Sequence, residues 1–307
     1  MGEATEASGA SPAAAPSASE EHSDRLHRTG IANPDQVVLK VDDIVKTYKR
    51  RRGMTSTIVN VVQNVSFTLE RGQIVALVGQ SGSGKSTIGP LVTGVEHVDS
   101  RPITFTDEAH PVDIKTLGRK DLKDYRRHAQ LIFQDPYAAL NPVHTIAHSL
   151  SRPLQNYRNM SSKEARAESM RILDRVGLTP AERFIDKFPH QLSGGQQQRV
   201  VVARALAPQP EILIADEPTS MLDVSIRAEI LDLLNDLVRA ENLAMLFITH
   251  DLLNARMLAD EILVLNHGRI VESGSAAKVI EHPQDEYTRL LLNSIPNPFT
   301  AANAAAD

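Results

Sequence analysis

The residues Gly79-Gln80-Ser81-Gly82-Ser83-Gly84-Lys85-Ser86-Thr87 have the make-up of a loop that wraps phosphate. Glycines let successive backbone N–H groups curl around phosphate oxygens, and a helix opening behind them adds partial positive charge at its N-terminus. Lys85 would reach the β- and γ-phosphates as a point charge, and Ser86 would ligate magnesium. The apolar run Ile74–Val78 before the loop and the helical pattern after it give the strand–loop–helix context that such a loop needs. A second apolar run, Ile212–Ala215, ends in two carboxylates. Asp216 can hold magnesium through water, and Glu217 can polarise an attacking water. Alone, an acidic strand end is most often a turn; beside a phosphate loop it implies a nucleoside triphosphatase.

Three further segments carry polar groups at the ends of elements. Gln134 ends a strand in Leu131-Ile132-Phe133-Gln134-Asp135-Pro136, Leu192-Ser193-Gly194-Gly195-Gln196-Gln197-Gln198-Arg199 precedes a helix, and His250 ends a strand in Phe247-Ile248-Thr249-His250-Asp251. Taken singly, a glutamine or histidine at a strand end is a satisfied surface group, and Ser-Gly-Gly is a loop.

These groups need elements to hold them. Val37–Val41, Val61–Phe67, Ile74–Val78, Ala129–Phe133, Ile212–Ala215, Ala244–Thr249 and Ile262–Leu265 read as strands, rich in β-branched residues. Apolar spacing over Ile226–Val238 fits a helix, and strands alternating with helices indicate an α/β core. Between about Pro136 and Pro189 the strand signal stops. There Ser161-Ser162-Lys163-Glu164 is a capping box, and Ala165, Ser169, Ile172, Leu173 and Val176 fall on one helical face before Gly177 ends it. A helical segment is thus predicted inside the α/β domain.

Composition sets the outer bounds. The chain has 307 residues, ample for a buried core; 41% are hydrophobic and 23% charged, as in globular proteins. Thirty-three Lys and Arg against 38 Asp and Glu leave a net charge of -5, with no overall basic footprint for nucleic acid. With no cysteine, disulfides, thiolate zinc sites and cysteine-ligated iron–sulfur clusters are excluded. No apolar run approaches the roughly 18 residues of a membrane span, and the first residues do not read as a signal peptide. Fifteen of residues 1–20 are Ala, Ser, Pro or Gly, so 1–33 is expected to be a disordered tail. The same is expected of 301–307.

In their order around the phosphate loop, the segments from about Val37 to Pro296 resemble the nucleotide-binding subunit of ATP-binding-cassette (ABC) transporters. Gly79–Thr87 is similar to that family's Walker A, Gln134 to its Q-loop, Leu192–Gln196 to its signature, Ile212–Glu217 to its Walker B and His250 to its switch histidine. Ser220-Met221-Leu222-Asp223 resembles the D-loop, with Met221 where the family more often has alanine. Tyr48 fits the aromatic that stacks on adenine, while the adjacent Lys49-Arg50-Arg51-Arg52 reads as a solvated loop. Phe133–Pro142, Asp223–Ile226, and Glu281-His282-Pro283 through Tyr287–Leu291 to Ile295-Pro296 resemble the oligopeptide/dipeptide importer branch. Tyr137, after Asp135-Pro136, looks like the second of the two ATPases such importers often carry. Gln284-Asp285-Glu286 departs from this pattern by interrupting the usual His-Pro-Tyr.

The resemblance implies an α/β P-loop NTPase core of ABC type with an inserted helical subdomain and an N-terminal antiparallel β subdomain. The implied division is a first core part over 34–135, a helical signature subdomain over 136–190, a second core part over 191–272 and an importer-type extension over 273–300. ATP and Mg2+ are the implied ligands. Lys85, Gln134, Glu217 and His250 would be catalytic; Tyr48, Gly79, Gln80, Ser81, Gly82, Ser83, Gly84, Lys85, Ser86 and Thr87 would contact nucleotide. Ser86, Gln134 and Asp216 would hold the metal, and Asp223 would serve the D-loop. Ser193, Gly194, Gly195 and Gln196 would complete a partner's site in trans. Implied partners are a second ABC ATPase, two transmembrane permease subunits and, indirectly, an extracellular solute-binding protein, without nucleic acid, at the cytoplasmic face of the membrane. The implied function is ATP hydrolysis energising an oligopeptide or dipeptide importer, with an oligosaccharide or metal importer as the alternative. A soluble ABC ATPase acting on DNA or ribosomes fits less well, because no coiled coil separates Thr87 from Ser193 and a single cassette is present.

Overall fold

The computed structural model describes residues 36–52, 55–107 and 110–294. The tails read over 1–33 and 301–307, and Ile295-Pro296, lie outside the described residues. A six-stranded sheet forms the centre. It contains β3 (Ile74–Val78), β6 (Ala129–Ile132), β7 (Ile212–Asp216), β8 (Ala244–Thr249), β9 (Glu261–Asn266) and β10 (Arg269–Ser275), in the order β10-β9-β3-β8-β7-β6. All neighbours are parallel except β9 and β10, which pair antiparallel. A second, antiparallel sheet is built from β1 (Val37–Arg52), β2 (Thr55–Glu70), β4 (Ile103–Asp107) and β5 (His110–Asp113), in the order β2-β1-β4-β5.

The central strands read as continuous apolar runs because both faces of the sheet are covered. Side chains alternate across a strand, so each run divides between two cores. Ile74, Ala76 and Val78 of β3 join one core with Leu213, Ala215, Met245 and Phe247. Val75 and Leu77 join the other with Ile212, Ile214, Leu246 and Ile248. The first core is shared with the helices that follow β6, and the second with the antiparallel sheet, including Val41, Ile44, Val65 and Leu69, and with Ile88, Leu91, Val92 and Tyr125 of the two helices before β6. All these β3 side chains are buried; full burial contributes about 1.5–3 kcal/mol for each large apolar one. Helix α1 (Lys85–Val92) and helix α2 (Arg119–His128) follow β3 and β5.

Beyond β6 come the short α3 (Pro136–Ala139), then α4 (Ile146–Arg158) and α5 (Ser162–Arg175). The predicted capping box is present on α5: Ser161 Oγ accepts from Glu164 N–H at 3.4 Å, and Glu164 Oε2 accepts from Ser161 N–H at 2.9 Å. Ala165, Ser169, Ile172, Leu173 and Val176 are all buried, as their spacing required. Gly177 takes a left-handed φ of 75°, which stops the helix. Helix α6 (Gly194–Leu206) then returns the chain to β7, and α7 (Val224–Glu241), α8 (Leu252–Leu258) and α9 (Ala276–Glu281) follow β7, β8 and β10.

Some elements differ from the sequence reading. Lys49-Arg50-Arg51-Arg52 is not a loop but the end of β1, paired residue for residue with Thr55–Ile58. The ladder with that β-branched strand outweighs the low strand preference of the charged run. Strand β6 ends at Ile132, so Gln134 lies two residues beyond it rather than at its end. Strands β4, β5 and β10 give little periodic apolar signal. The β9–β10 hairpin is set by His267-Gly268, both at positive φ (46° and 80°), the geometry of a two-residue turn that matches strand twist. Among the described residues, no helix is long and apolar enough to cross a membrane.

Candidate nucleotide site

The phosphate loop runs from the end of β3 to the start of α1, and its glycines answer to definite neighbours. A Cβ on Gly79 would stand 2.2 Å from the Leu265 carbonyl oxygen, and one on Gly84, at φ 109°, would stand 2.6 Å from that of Val61. Close backbone approach and left-handed geometry both demand glycine there. The loop is further tied to the β9–β10 turn, where Gly268 N–H donates to the Ser83 carbonyl at 2.8 Å. Lys85 is only 5% exposed and donates through Nζ to the carbonyls of Gly79 at 2.6 Å and Gln80 at 2.9 Å. Burial lowers its pKa, while Glu217 and Asp216 oppose that shift by attraction.

The parallel sheet brings the remaining chemistry to the same edge. Asp216 closes β7, and Glu217 follows in a left-handed backbone conformation (φ 45°), its N–H donating to the Ile248 carbonyl of β8 at 2.9 Å. That conformation is uncommon for a residue with a Cβ and is held by the neighbouring strand. The Glu217 carboxylate is addressed from both sides. His250 Nδ1 lies 3.0 Å from Oε1, and Gln134 Nε2 donates to Oε2 at 3.4 Å. Burial first, then the charge of Glu217, pushes the Asp216 carboxyl up to about 6, with Lys85 pulling it back. Glu217, Gln134 and His250 therefore meet although they follow three different strands, β7, β6 and β8.

Tyr48, 37% exposed on β1, sits near this loop and is fixed by polar contacts that the sequence did not reveal. Its hydroxyl donates to Glu96 Oε2. Lys46 Nζ stands 5.4 Å from its ring centroid and donates to the His97 carbonyl at 2.7 Å. Thr47 donates to Asp99 Oδ2 from both its N–H (2.7 Å) and its hydroxyl (2.8 Å). Burial and Glu96 push the Tyr48 hydroxyl up to about 12. Glu96, Asp99 and Lys46 are thus positioning groups; they are about fifty residues from their partners, or adjacent to them without a motif, so no local pattern marks them.

The Ser193–Gln196 segment is not joined to this cluster. Ser193 Oγ accepts from Gln196 N–H at 3.3 Å, and Gln196 Oε1 accepts from Ser193 N–H at 3.1 Å; this capping box is spent within the first turn of α6. Ser220 donates through N–H and Oγ to the Glu217 carbonyl, at 3.2 and 3.1 Å, and Asp223 is the N-cap of α7 (Val224–Glu241). Met221 is exposed beside it.

A mostly parallel sheet with a phosphate loop after one strand, an acidic pair ending another and a helical insertion between them defines a P-loop nucleotide-binding cassette. Residues 62–220 match the ABC transporter family, and this chain belongs to that family. It is 42% identical over 262 residues to the glutathione import ATP-binding protein GsiA of Escherichia coli, and equally to that of Shigella flexneri; the alignment covers 84% of this chain and 41% of theirs. The chain thus spans about two fifths of the length of these curated relatives. Among solved structures it is similar to the dimeric bacterial ABC transporter cassette MJ0796 (TM-score 0.67, 32% identity, 78% of this chain and 98% of that one). It is also similar to cbiO1 of Clostridium perfringens, part of the ABC transporter complex cbiONQ (TM-score 0.69, 26% identity, 87% and 99%). The fold is accordingly the ABC-type P-loop NTPase core with its antiparallel sheet and helical insertion.

Proposed function

We propose that this chain hydrolyses ATP to drive an importer of oligopeptides or dipeptides, as a peripheral subunit on the cytoplasmic face of the membrane. The observation that carries the reading is the convergence of Gln134 and His250 on the Glu217 carboxylate beside the Lys85 loop. Hydrolysis of a phosphoanhydride needs a water in line, charge on the phosphate oxygens and little else. Lys85 and the loop amides of Gly79–Thr87 would hold the phosphates, and Tyr48 would stack on the base. Glu217 would take the proton of the attacking water, with Gln134 and His250 orienting that carboxylate.

The donor set also fits Mg2+. Ser86 and Gln134 offer neutral oxygens, and the Asp216 carboxyl, raised by burial beside Glu217, is one whose ionised form a cation would favour. When bound, the metal would neutralise charge on the phosphate oxygens.

Support for a dimer comes from relatives. MJ0796 is described as dimeric both as the cassette and in a post-hydrolysis state bound to ADP and Pi. A head-to-tail pair would let Ser193, Gly194, Gly195 and Gln196 face the partner's nucleotide, with Asp223 at the junction. The named relatives GsiA import glutathione, a small peptide, which favours a peptide-type cargo over a sugar or metal. An open groove of about 680 Å³, lined by Tyr137, Leu140, His148, Arg152, Tyr157 and Arg204, lies between α3 and α4 and would receive a permease segment. The test is Glu217→Gln. The variant should bind ATP with near-parent affinity and lose at least about 99% of turnover, because the proton acceptor alone is removed. Turnover at the parent rate would refute the assignment.

A further inference from the structure

Between Gly79 and Gln80 lies one peptide group held from both ends. Its carbonyl, Gly79 O, accepts from Lys85 Nζ at 2.6 Å, and its N–H, on Gln80, donates to the hydroxyl of Tyr287 at 2.9 Å. Tyr287 belongs to α10 (Glu286–Asn293), 207 positions away along the chain. A peptide plane pinned only at its oxygen can rotate about its flanking dihedrals. Pinned at both ends it cannot, and the acceptor that places the buried Lys85 ammonium is fixed.

The segment carrying Tyr287 is itself anchored. Glu272 of β10 accepts from Gln284 N–H through Oε1 at 2.8 Å and from Asp285 N–H through Oε2 at 3.0 Å. Asp285 then caps α10 by accepting from Tyr287 N–H at 2.8 Å. Arg289 donates to the carbonyls of Pro283 and Gln284, both at 3.1 Å, and Thr288 and Leu291 are buried. Gln284-Asp285-Glu286, the residues that depart from the usual His-Pro-Tyr, therefore supply two of the anchored N–H groups and the helix cap.

We propose that Tyr287 is a positioning residue of the nucleotide site, delivered by the C-terminal helix to fix the Gly79–Gln80 peptide and through it Lys85. The inference rests on the ATP-binding reading of that site. Tyr287→Phe keeps the ring and its packing and removes the acceptor. In this variant the Gln80 amide should exchange with solvent about tenfold faster in nucleotide-free protein. The ATP dissociation constant and KM should rise together about threefold to tenfold, the range expected for one lost hydrogen bond, with kcat changed less than about twofold. Glu272→Ala, which frees the anchored segment, should move the same two readouts in the same direction. Leu290→Ala, an exposed side chain on the same helix, should move neither. Unchanged Gln80 exchange in Tyr287→Phe overturns the contact, and faster exchange with unchanged ATP affinity overturns the positioning role. A parent protein that protects Gln80 yet binds no nucleotide overturns the ATP-binding reading and the positioning role with it.

Discussion

Asp216 and Glu217 are consecutive carboxylates at one strand end, and their proximity has a measurable cost. The Asp216 pKa stands at about 6 against an ordinary 3.8, raised first by burial and then by Glu217, with Lys85 acting against both. An acid raised in this way holds a proton in the folded state that the unfolded chain has released. Its contribution to stability is therefore full below about pH 3.8 and is lost as the pH rises through about 6. Asp216→Asn lacks this loss. Relative to the parent, the nucleotide-free variant should gain stability between about pH 4 and pH 7.5, on the order of 2 kcal/mol after allowance for partial exposure. Urea midpoints at the two pH values measure this, and a difference that is flat or falls with pH would contradict it.

At the scale of elements, the phosphate loop is held against β2 and the β9–β10 turn rather than standing free. Val61 O is the shared neighbour of Gly84 and Gly268. Gly84→Ala places a methyl 2.6 Å from that carbonyl at φ 109°. Gly82→Ala, at φ 82°, meets nothing within 4 Å. The first should cost about 2–4 kcal/mol and nearly all nucleotide binding, whereas the second should cost only the backbone strain of about 1 kcal/mol. Denaturant titration of both variants, with ATP binding measured alongside, checks the contrast; equal losses would show that the approach to Val61 is not the determinant.

For the whole molecule, the question is where the Ser193 segment acts. Its hydrogen bonds close on themselves at the start of α6, and the Lys85–Glu217 cluster makes no use of them. In a head-to-tail pair with the second ABC ATPase that the sequence resemblance implies, Ser193→Ala in this chain should impair the site carrying the partner's phosphate loop more than the site carrying Lys85. Single-turnover measurements on pairs in which only one site keeps its catalytic glutamate read the two sites apart. A larger loss at the Lys85 site would reverse the proposed arrangement. Transport at full rate by two copies of this chain would exclude the need for a second kind of ATPase.

The amino-acid sequence alone determined whatever is local or periodic. Gly79–Thr87 spells its own loop because glycine spacing is a backbone requirement, and Ile74–Val78 and Ala244–Thr249 matched their strands at both ends because buried parallel strands are uninterrupted apolar runs. The capping box at Ser161 and the buried face of α5 were legible for the same reason. Tertiary structure decided what depends on distant partners. Only the ladder with β2 makes Lys49–Arg52 a strand, and only sheet order brings Gln134, Glu217 and His250 to one carboxylate. Asp99 beneath Thr47 and Tyr287 against Gln80 left no trace in spacing. A hydrogen bond between residues 207 positions apart is fixed by where two elements pack, and packing is a property of the folded chain as a whole.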